Sequence, residues 1–351
     1  MKNRVTMADI AKRAGVHTTT VSMALRNHRN LPSQTIERIR KLAVEMGYYP
    51  DPALQALVSY RHEKKIPKIN ATLAYLTNWD TEDGWREHTA QQRFFTGARE
   101  HAERLGYKLD HFWLRDLEPT SKRLNDILQT RGIRGLIVAS FPPEPGVELN
   151  LEWSRFAGIK IDYYPRRIPL HCVTNDQQSI IHLAFQKILE KGYRRIGIVM
   201  PRVWDDYVNN SWSVGYLAAQ QQLRPRERIP AMVYDVAVDH GKEDRQIRVP
   251  GELLESWLSK YRPEVILSYY PYIYDSLKEI GLTMGEDIGF VDLFLDKADG
   301  SIAGIVNQCE QVSRVAIEIL VGQIQRNVLG LPPTQMKTLI QGVWVDGATL
   351  K

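Results

Sequence analysis

The chain has 351 residues, of which 43% are hydrophobic and 25% are charged, a composition typical of a globular protein with two or three domains. No apolar run approaches the roughly 18–20 residues that cross a bilayer, and the first residues lack the apolar stretch of a signal peptide. The two cysteines, Cys172 and Cys309, exclude a disulfide framework and favour a reducing cytoplasm.

The positive charge of the chain is concentrated near its N-terminus. Residues 1–66 contain twelve Lys and Arg against five acidic residues, a net charge of +7 in a chain whose total is +5. The other residues therefore carry a net charge of −2. A basic module on a near-neutral body is typical of nucleic-acid binding, and a solvated charged surface is the alternative.

Two short helices around a glycine are predicted in this basic segment. Thr6 and Asp9 fit an N-terminal capping box for a helix over residues 7–14. Gly15 ends that helix, since glycine readily adopts the backbone angles of a sharp turn. A second helix begins near Thr18, and its buried face is expected to carry Val21, Ala24 and Leu25.

A third helix completes the unit. It follows Pro32 and Ser33 and ends at Gly47, and its apolar positions at helical spacing are Ile36, Ile39, Leu42, Ala43 and Met46. This order of elements is the helix-turn-helix arrangement, whose second helix enters the major groove of DNA. A three-helix cap that binds no nucleic acid is the alternative, and the local charge favours DNA.

The segments VTMADIAKR and AGVHTTTVSMALRN resemble the headpiece of the LacI/PurR (GalR) family of bacterial repressors. The resemblance implies a headpiece over residues 1–50, with base reading by Thr18, Thr19 and Met23. Met23 offers only apolar contact, for example to a thymine methyl group. The full set of predicted DNA-binding residues is Thr6, Thr18, Thr19, Thr20, Ser22, Met23, Arg26, Leu54 and Leu57.

A hinge helix and linker are predicted over residues 51–68, where the resemblance continues through GYYPDPALQAL. Asp51 and Pro52 suit the start of a helix, but about seven residues are too few for a stable isolated one. The resemblance implies that the hinge helices of two subunits pair in the minor groove, with Leu57 wedged between base pairs. Packing of Leu54 and Leu57 against the body is the alternative.

From about residue 71 the sequence alternates between short apolar runs and helical segments, which predicts parallel sheets with helices on both faces. The predicted strands cover residues 72–78, 107–114, 135–140, 158–164, 195–201, 231–237, 265–270 and 288–294. Phosphate-binding glycine motifs, zinc-protease and serine-hydrolase motifs and C-x-x-C pairs do not occur. We therefore expect neither an enzyme nor a cofactor or bound metal.

The stretch VTNDQQSIIHLAFQKILEKGYRRIGIV and the tail LVGQIQRNVLGLPPTQMKTLIQGVWVDGATL resemble the periplasmic-binding-protein-like effector domain of the same family. The resemblance implies an effector-binding and dimerisation domain over residues 69–351, built from two doubly wound parallel-sheet subdomains. One subdomain covers about 69–164 plus 296–330, and the other 165–295 plus 331–351. Three crossovers join them, and a small molecule binds between them.

The predicted effector site lies where strands of the body end. Family positions that contact ligand fall on Asp162, Trp212, Tyr269, Tyr270 and Asp292, and Asn78 and Trp79 end the first strand. Aromatic faces and carboxylates suit sugar rings, whose C–H faces stack while their hydroxyl groups form hydrogen bonds. The alternative is that the aromatic rings pack in the core or between the subdomains.

These features predict a cytoplasmic, homodimeric transcriptional regulator that acts as a repressor. It would bind a pseudo-palindromic operator and respond to a sugar or sugar derivative, without membrane contact. The alternatives are a soluble α/β solute-binding protein with a helical cap, and an effector-independent regulator with a vestigial pocket. The apolar helical segment 312–328 is interpreted as either a dimer contact or a core helix. Without heptads after Trp344, a dimer is favoured over a larger assembly.

Overall fold

The computed structural model describes residues 5–25, 31–48, 71–117, 122–139, 141, 149–236 and 247–351. The N-terminal unit contains helices α1 (Met7–Ala14), α2 (Thr18–Leu25) and α3 (Ser33–Glu45). Gly15 makes the turn after α1 in the left-handed conformation, at φ 67°. The three predicted helices are confirmed, whereas Arg26 and the predicted hinge, with Leu54 and Leu57, lie outside the described residues.

The core of this N-terminal unit takes one large apolar side chain from each helix. Ile10 of α1, Val21 of α2 and Ile39 of α3 are fully buried, and Ala24 and Ala43 pack with them. The other predicted core positions are half-buried around this centre, among them Ala14, Leu25, Ile36, Leu42 and Met46. The buried face of α2 leaves its opposite face free of core contacts, as helical periodicity predicts.

The body contains twelve strands within the described residues. They are β1 (Ala71–Thr77), β2 (Tyr107–Trp113), β3 (Gly135–Val138), β4 (Ala157–Ile161), β5 (His171–Asn175), β6 (Ile196–Pro201), β7 (Met232–Tyr234), β8 (Val265–Ser268), β9 (Gly289–Asp292), β10 (Ala303–Val306), β11 (Lys337–Ile340) and β12 (Val343–Val345). Each predicted strand has a counterpart, shortened or shifted at its ends. The strands β5, β10, β11 and β12 were missed by the sequence reading.

The helices of the body alternate with these strands. They are α4 (Thr89–Arg104), α5 (Leu114–Leu117), α6 (Lys122–Thr130), α7 (Gln177–Glu190), α8 (Arg202–Tyr207), α9 (Ser211–Gln220), α10 (Gly251–Tyr261), α11 (Tyr270–Glu279) and α12 (Cys309–Gln325). Most connect neighbouring parallel strands, which need a crossover of this length because they cannot be joined by a hairpin.

The strands form two six-stranded sheets. Sheet one has the order β11-β5-β4-β3-β1-β2 with every pair parallel. Sheet two has the order β12-β10-β9-β8-β6-β7, in which only β12 is antiparallel to its neighbour. Each sheet carries a buried apolar cluster on both faces. The predicted fold class, two doubly wound α/β subdomains behind a helix-turn-helix unit, is confirmed.

The chain passes between the sheets three times, but not at the predicted residues. It leaves sheet one after β5, returns after β10 through α12, and leaves again between β11 and β12. The predicted boundaries at 164/165, 295/296 and 330/331 are therefore wrong. Backbone pairing decides which sheet each strand joins: β5 pairs with β4 and β11 in sheet one, whereas β10 pairs with β9 in sheet two.

The long helix α12 is a core helix of the first subdomain. Its side chains Val312, Ala316, Ile317 and Leu320 are fully buried against α4 and strands β3 to β5. Val328, the last residue of the predicted apolar segment, lies beyond the helix and is exposed. This segment was interpreted as either a dimer contact or a core helix, and its buried face packs in the core.

Candidate functional site

Helix α2 presents its polar face at the surface of the N-terminal unit. Thr18 and Thr19 are exposed at its first turn, whereas Thr20, Ser22 and Met23 are half-buried. This is the arrangement that a recognition helix requires, with short polar side chains near its N-terminus. The structure thus brings five of the predicted DNA-binding residues together on one helix.

His17 starts α2 and was missed by the sequence reading. Its carbonyl oxygen accepts hydrogen bonds from the amides of Thr20 (2.9 Å) and Val21 (3.2 Å). Its ring Nδ1 lies 2.9 Å from the Thr19 hydroxyl and accepts from the Thr19 amide at 3.4 Å. His17 therefore occupies the N-cap position, where Ser, Thr, Asp and Asn are the usual residues, and it holds the Thr19 side chain in place.

The start of α1 is fixed by the predicted capping box. The amide of Thr6 donates to the Asp9 carboxylate at 2.8 Å, and the Asp9 amide donates to the Thr6 hydroxyl at 3.3 Å. Hydrogen bonds from Thr6 lower the pKa of Asp9, so the carboxylate stays ionised and able to accept them at neutral pH. The Thr6 hydroxyl is engaged within the protein, and a contact between Thr6 and DNA stays a prediction.

In the body, the sheet-one side of the predicted cleft is built from Asn78, Trp79 and Asp162. Asn78 follows β1 and is 3% exposed, yet its Oδ1 has no hydrogen-bond partner, and the buried Nε1 of Trp79 has none either. Asp162 follows β4 in the left-handed conformation, at φ 68°, and accepts from the Thr174 hydroxyl at 2.8 Å. Unsatisfied polar atoms at the carboxyl ends of parallel strands are typical of a ligand site.

The sheet-two side is centred on Asp292 at the end of β9. Asp292 is 3% exposed, and its carboxylate accepts from the amides of Phe294 (2.7 Å) and Tyr270 (3.2 Å). Burial raises the pKa of Asp292 to about 7, although these two hydrogen bonds lower it. The Tyr269 hydroxyl lies 3.5 Å from Asp296, whereas the ring of Tyr270 packs on the apolar cluster that contains Phe290.

Trp212 is fully buried in the core of the second subdomain, and its Nε1 has no hydrogen-bond partner, so its contact with an effector stays a prediction. Trp204 of α8, which the sequence reading missed, stacks on it with ring centres 4.8 Å apart and an interplanar angle of 18°. Phe294 lies 4.8 Å from Trp204, and Trp204 is only half-buried. Trp204 follows the end of β6, and this position could have identified it as a candidate site residue. The structure makes Trp204 the aromatic residue nearer the surface.

Helix α8 also connects the two subdomains. The Tyr207 hydroxyl donates to the carbonyl oxygen of Phe141 at 2.9 Å, and its ring stacks on Tyr164 at 4.8 Å. Arg166 donates to the carbonyl oxygen of Asp206. Since Phe141, Tyr164 and Arg166 follow strands of sheet one, these contacts bridge the two halves at the carboxyl edges of their sheets.

The crossover between β10 and α12 is held by Arg93 of α4. Its guanidinium donates to both carboxylate oxygens of Glu310, each at 2.7 Å, and to the carbonyl oxygen of Asn307 at 2.9 Å. Two-pronged pairing of this kind fixes geometry as well as charge. The segment that links sheet two to α12 is therefore fixed to the first subdomain.

The described residues contain no cluster of three His, Cys, Asp or Glu side chains that could hold a metal ion. Both cysteines are free and buried, and burial raises the pKa of each thiol to about 12. Within the described ranges, no helix is both long and apolar enough to span a bilayer.

The N-terminal unit matches a known family, the lacI family of bacterial regulatory proteins, over residues 6–51. It is 38% identical over 55 residues to the HTH-type transcriptional regulator MalR of Streptococcus pneumoniae, covering 16% of this chain and 17% of that protein. It is 39% identical over 61 residues to the maltose regulon regulatory protein MalI of Vibrio furnissii, covering 17% of this chain and 44% of that protein. The helix-turn-helix domain of this chain belongs to the lacI family.

The fold of the whole chain is similar to that of the transcriptional regulator CelR, solved as a cellobiose complex. The TM-score is 0.57 with 15% sequence identity, over 99% of this chain and 100% of that chain. At this identity the likeness shows a shared fold. The matched family consists of regulatory proteins rather than enzymes, in agreement with the sequence reading.

Proposed function

We propose that this chain is a transcriptional regulator that binds operator DNA through its N-terminal unit. It acts in the cytoplasm as a homodimeric repressor on a pseudo-palindromic operator, and an effector bound between the subdomains controls it. The observation that carries this proposal is the exposed polar face of α2, with Thr18 and Thr19 at its first turn, in a domain that matches the lacI family.

The effector is proposed to be a sugar, and glucose disaccharides are the first candidates. MalI is named for the maltose regulon, and CelR was solved with cellobiose. The half-buried rings of Trp79 and Trp204 and the carboxylates of Asp162 and Asp292 supply the stacking and hydrogen-bonding groups that sugars need. The effector-independent alternative is disfavoured, because a vestigial pocket gains nothing from buried polar atoms without partners, such as Asn78 Oδ1.

Effector binding would change how far the two subdomains close, and so the spacing of the two hinge segments in a dimer. Such coupling between sites is typically worth about 1–3 kcal/mol. It is reciprocal, so operator DNA should change the affinity for the effector by the same factor.

The first experiment is fluorescence anisotropy with DNA fragments from upstream of the chain's own gene, beside random DNA, at two salt concentrations. Wild type should bind selectively and lose affinity steeply with salt, because phosphate contacts release counterions. Leu57→Ala should weaken selective binding at least tenfold, since it removes the proposed minor-groove wedge.

Leu253→Ala is the matched control, since Leu253 is a 47% exposed leucine on α10 of the body. It should leave DNA affinity unchanged. Tight binding without selectivity would reduce the proposal to a basic headpiece. Absence of binding by folded protein at low salt, with and without maltose or cellobiose, would refute it.

A further inference from the structure

Two buried asparagines sit where the chain crosses between the sheets. Asn175 is the last residue of β5, before the first crossover, and Asn307 follows β10, at the second. They are 5% and 2% exposed, and the Oδ1 atom of each lacks a hydrogen-bond partner. A buried amide oxygen without a partner is costly, so its retention at two crossovers calls for an explanation.

Both asparagines lie beside the first turn of α12. The Asn175 amide nitrogen is 4.0 Å from the Cys309 sulfur, and Cys309 begins α12. The carbonyl oxygen of Asn307 accepts from Arg93 at 2.9 Å. The buried Tyr75 hydroxyl has no partner either, and Tyr75 lies in the same buried cluster as Cys309. These groups form one polar cluster at the carboxyl edge of sheet one.

The orientation of the Asn307 amide is fixed by a neighbour. Its Nδ2 donates to the carbonyl oxygen of Leu293 at 2.9 Å, and a carbonyl oxygen can only accept. The unpartnered atom of Asn307 is therefore the oxygen, which needs a donor. Asn307 thus contacts Leu293 of sheet two and Arg93 of the first subdomain while its acceptor stays unsatisfied.

The surrounding charges select the chemical class of that donor. An ammonium group would gain no net attraction beside Asn307, because the Arg93 guanidinium there is neutralised by its pairing with Glu310. An anion would also be unfavourable, because it carries acceptors whereas the asparagine oxygens need donors. Arg93 would not compensate for this, since both of its nitrogens that face Glu310 already pair with that carboxylate. An uncharged molecule with several hydroxyl groups meets both conditions.

We propose that Asn175 and Asn307 accept hydrogen bonds from hydroxyl groups of an uncharged polyhydroxylated effector, which makes them specificity-determining residues at two of the three crossovers. This inference rests on the effector part of the proposed function. It places the contacts on the segments that must bend when the subdomains move, so occupancy by the effector and subdomain closure are linked directly.

The test pairs thermal unfolding with calorimetric titration of the full chain, using maltose, cellobiose and a panel of monosaccharides as probes. Asn175→Leu keeps the branched outline of the side chain and removes the acceptor. Its melting temperature without sugar should equal or exceed that of wild type, because replacing an unsatisfied polar group by an apolar one of similar shape is neutral or stabilising. Its sugar affinity should fall at least tenfold.

Gln323→Met is the matched control. Gln323 lies on the same helix as Cys309, far along it from the crossover, and its buried Oε1 is also without a partner. Gln323→Met should leave sugar affinity within twofold of wild type. Asn307→Leu should weaken the same sugar at least tenfold and lower the melting temperature, because it also loses the bond to Leu293.

Sugar affinity within twofold of wild type in both asparagine variants would overturn the inference and assign the two oxygens to bound water only. Failure of wild type to bind any probe would overturn it as well. Selective DNA binding by wild type in the anisotropy assay would then still support the regulator. Conversely, loss of sugar affinity in Asn175→Leu with no DNA binding by wild type would support the inference and refute the regulator.

Discussion

At the scale of single residues, Asp292 carries a pH dependence that can be measured. Burial raises its pKa to about 7, above the value of about 3.9 expected in an unfolded chain. The folded state therefore binds the proton more tightly than the unfolded state. The stability linked to that proton is complete below about pH 4 and is lost as the pH rises through about 7.

Asp292→Asn removes this loss, because the amide stays uncharged at every pH. We expect the free energy of unfolding of the variant, relative to wild type, to rise between pH 4 and pH 8 by up to about 4 kcal/mol, the equivalent of three pKa units. Urea unfolding at pH 4, 5, 6, 7 and 8 measures the difference. A difference that stays constant over this range would show that Asp292 titrates at its ordinary value.

The residue scale also shows where sequence reasoning about the site stops. Strand ends can be found from apolar runs, and so Asn78 was located at the end of the first strand, whereas Asp162 and Asp292 were assigned from the family resemblance. The sequence did not predict that Trp204 would be the more exposed of the two tryptophans, since burial is decided by packing of α8 on α9. Trp212 is fully buried while Trp204 is half-buried, and two tryptophans eight positions apart carry no local signal for that difference.

At the scale of elements, the packing of α4 on α12 depends on Gly97. A Cβ atom at Gly97 would lie 2.7 Å from the Cα atom of Glu310 and 2.8 Å from its carbonyl oxygen, and backbone atoms cannot move aside as side chains do. We expect Gly97→Ala to lower the free energy of unfolding by about 1–3 kcal/mol, the usual cost of overpacking a core. Chemical denaturation of the full chain measures it.

Gly322→Ala supplies the comparison within α12 itself. A Cβ at Gly322 would meet only the flexible guanidinium of Arg326, at 3.3 Å. Alanine favours a helix over glycine by about 1 kcal/mol, so this variant should be neutral or more stable. Equal destabilisation by both substitutions would mean that the close approach of α4 and α12 is not what Gly97 provides.

The N-terminal helices that the sequence predicted are defined by interactions between residues close together in the chain, whereas the missed strands depend on pairing with residues far apart in the chain. Helices α1 to α3 follow from local signals, such as the pairing of Thr6 with Asp9 and the turn at Gly15. Strands β10, β11 and β12 are three or four residues long and owe their existence to pairing with distant strands. Strands β8 and β9 are equally short but were found from continuous buried apolar runs, whereas β11 and β12 contain no fully buried residue and lack such a run.

At the scale of the whole molecule, the same limit explains the misplaced subdomain boundaries. Alternation of strands and helices predicts two doubly wound sheets, because parallel strands need helical crossovers. It does not say which sheet a given strand joins. That choice is made by backbone pairing between β5 and β4 and between β10 and β9, at separations that composition and periodicity do not reach.

Coupling between the two subdomains should depend on Tyr207 of α8. Its hydroxyl bonds to the carbonyl oxygen of Phe141 at 2.9 Å, and burial raises the pKa of Tyr207 well above its usual value, so the hydroxyl stays a donor. Tyr207→Phe keeps the ring stacked on Tyr164 but removes the hydroxyl donor from the carbonyl oxygen of the buried Phe141. We expect a loss of about 1–3 kcal/mol in the free energy of unfolding, and faster hydrogen exchange in both subdomains where α8 joins them.

Tyr216→Phe distinguishes this bridging role from ordinary loss of a buried hydroxyl. Among the described residues, the acceptors of the Tyr216 hydroxyl lie within the second subdomain, at the carbonyl oxygens of Ile196 and Ile229. Exchange measured by mass spectrometry should therefore rise in residues 196–201 and 228–234 but not in 159–166 for Tyr216→Phe, whereas Tyr207→Phe should raise it in both 202–208 and 159–166. If Tyr207→Phe left residues 159–166 unchanged, α8 would rest against the first subdomain without holding it through this hydroxyl. The bond from Arg166 to the carbonyl oxygen of Asp206 and the Arg93 contacts at the β10–α12 crossover would then remain as described links between the subdomains.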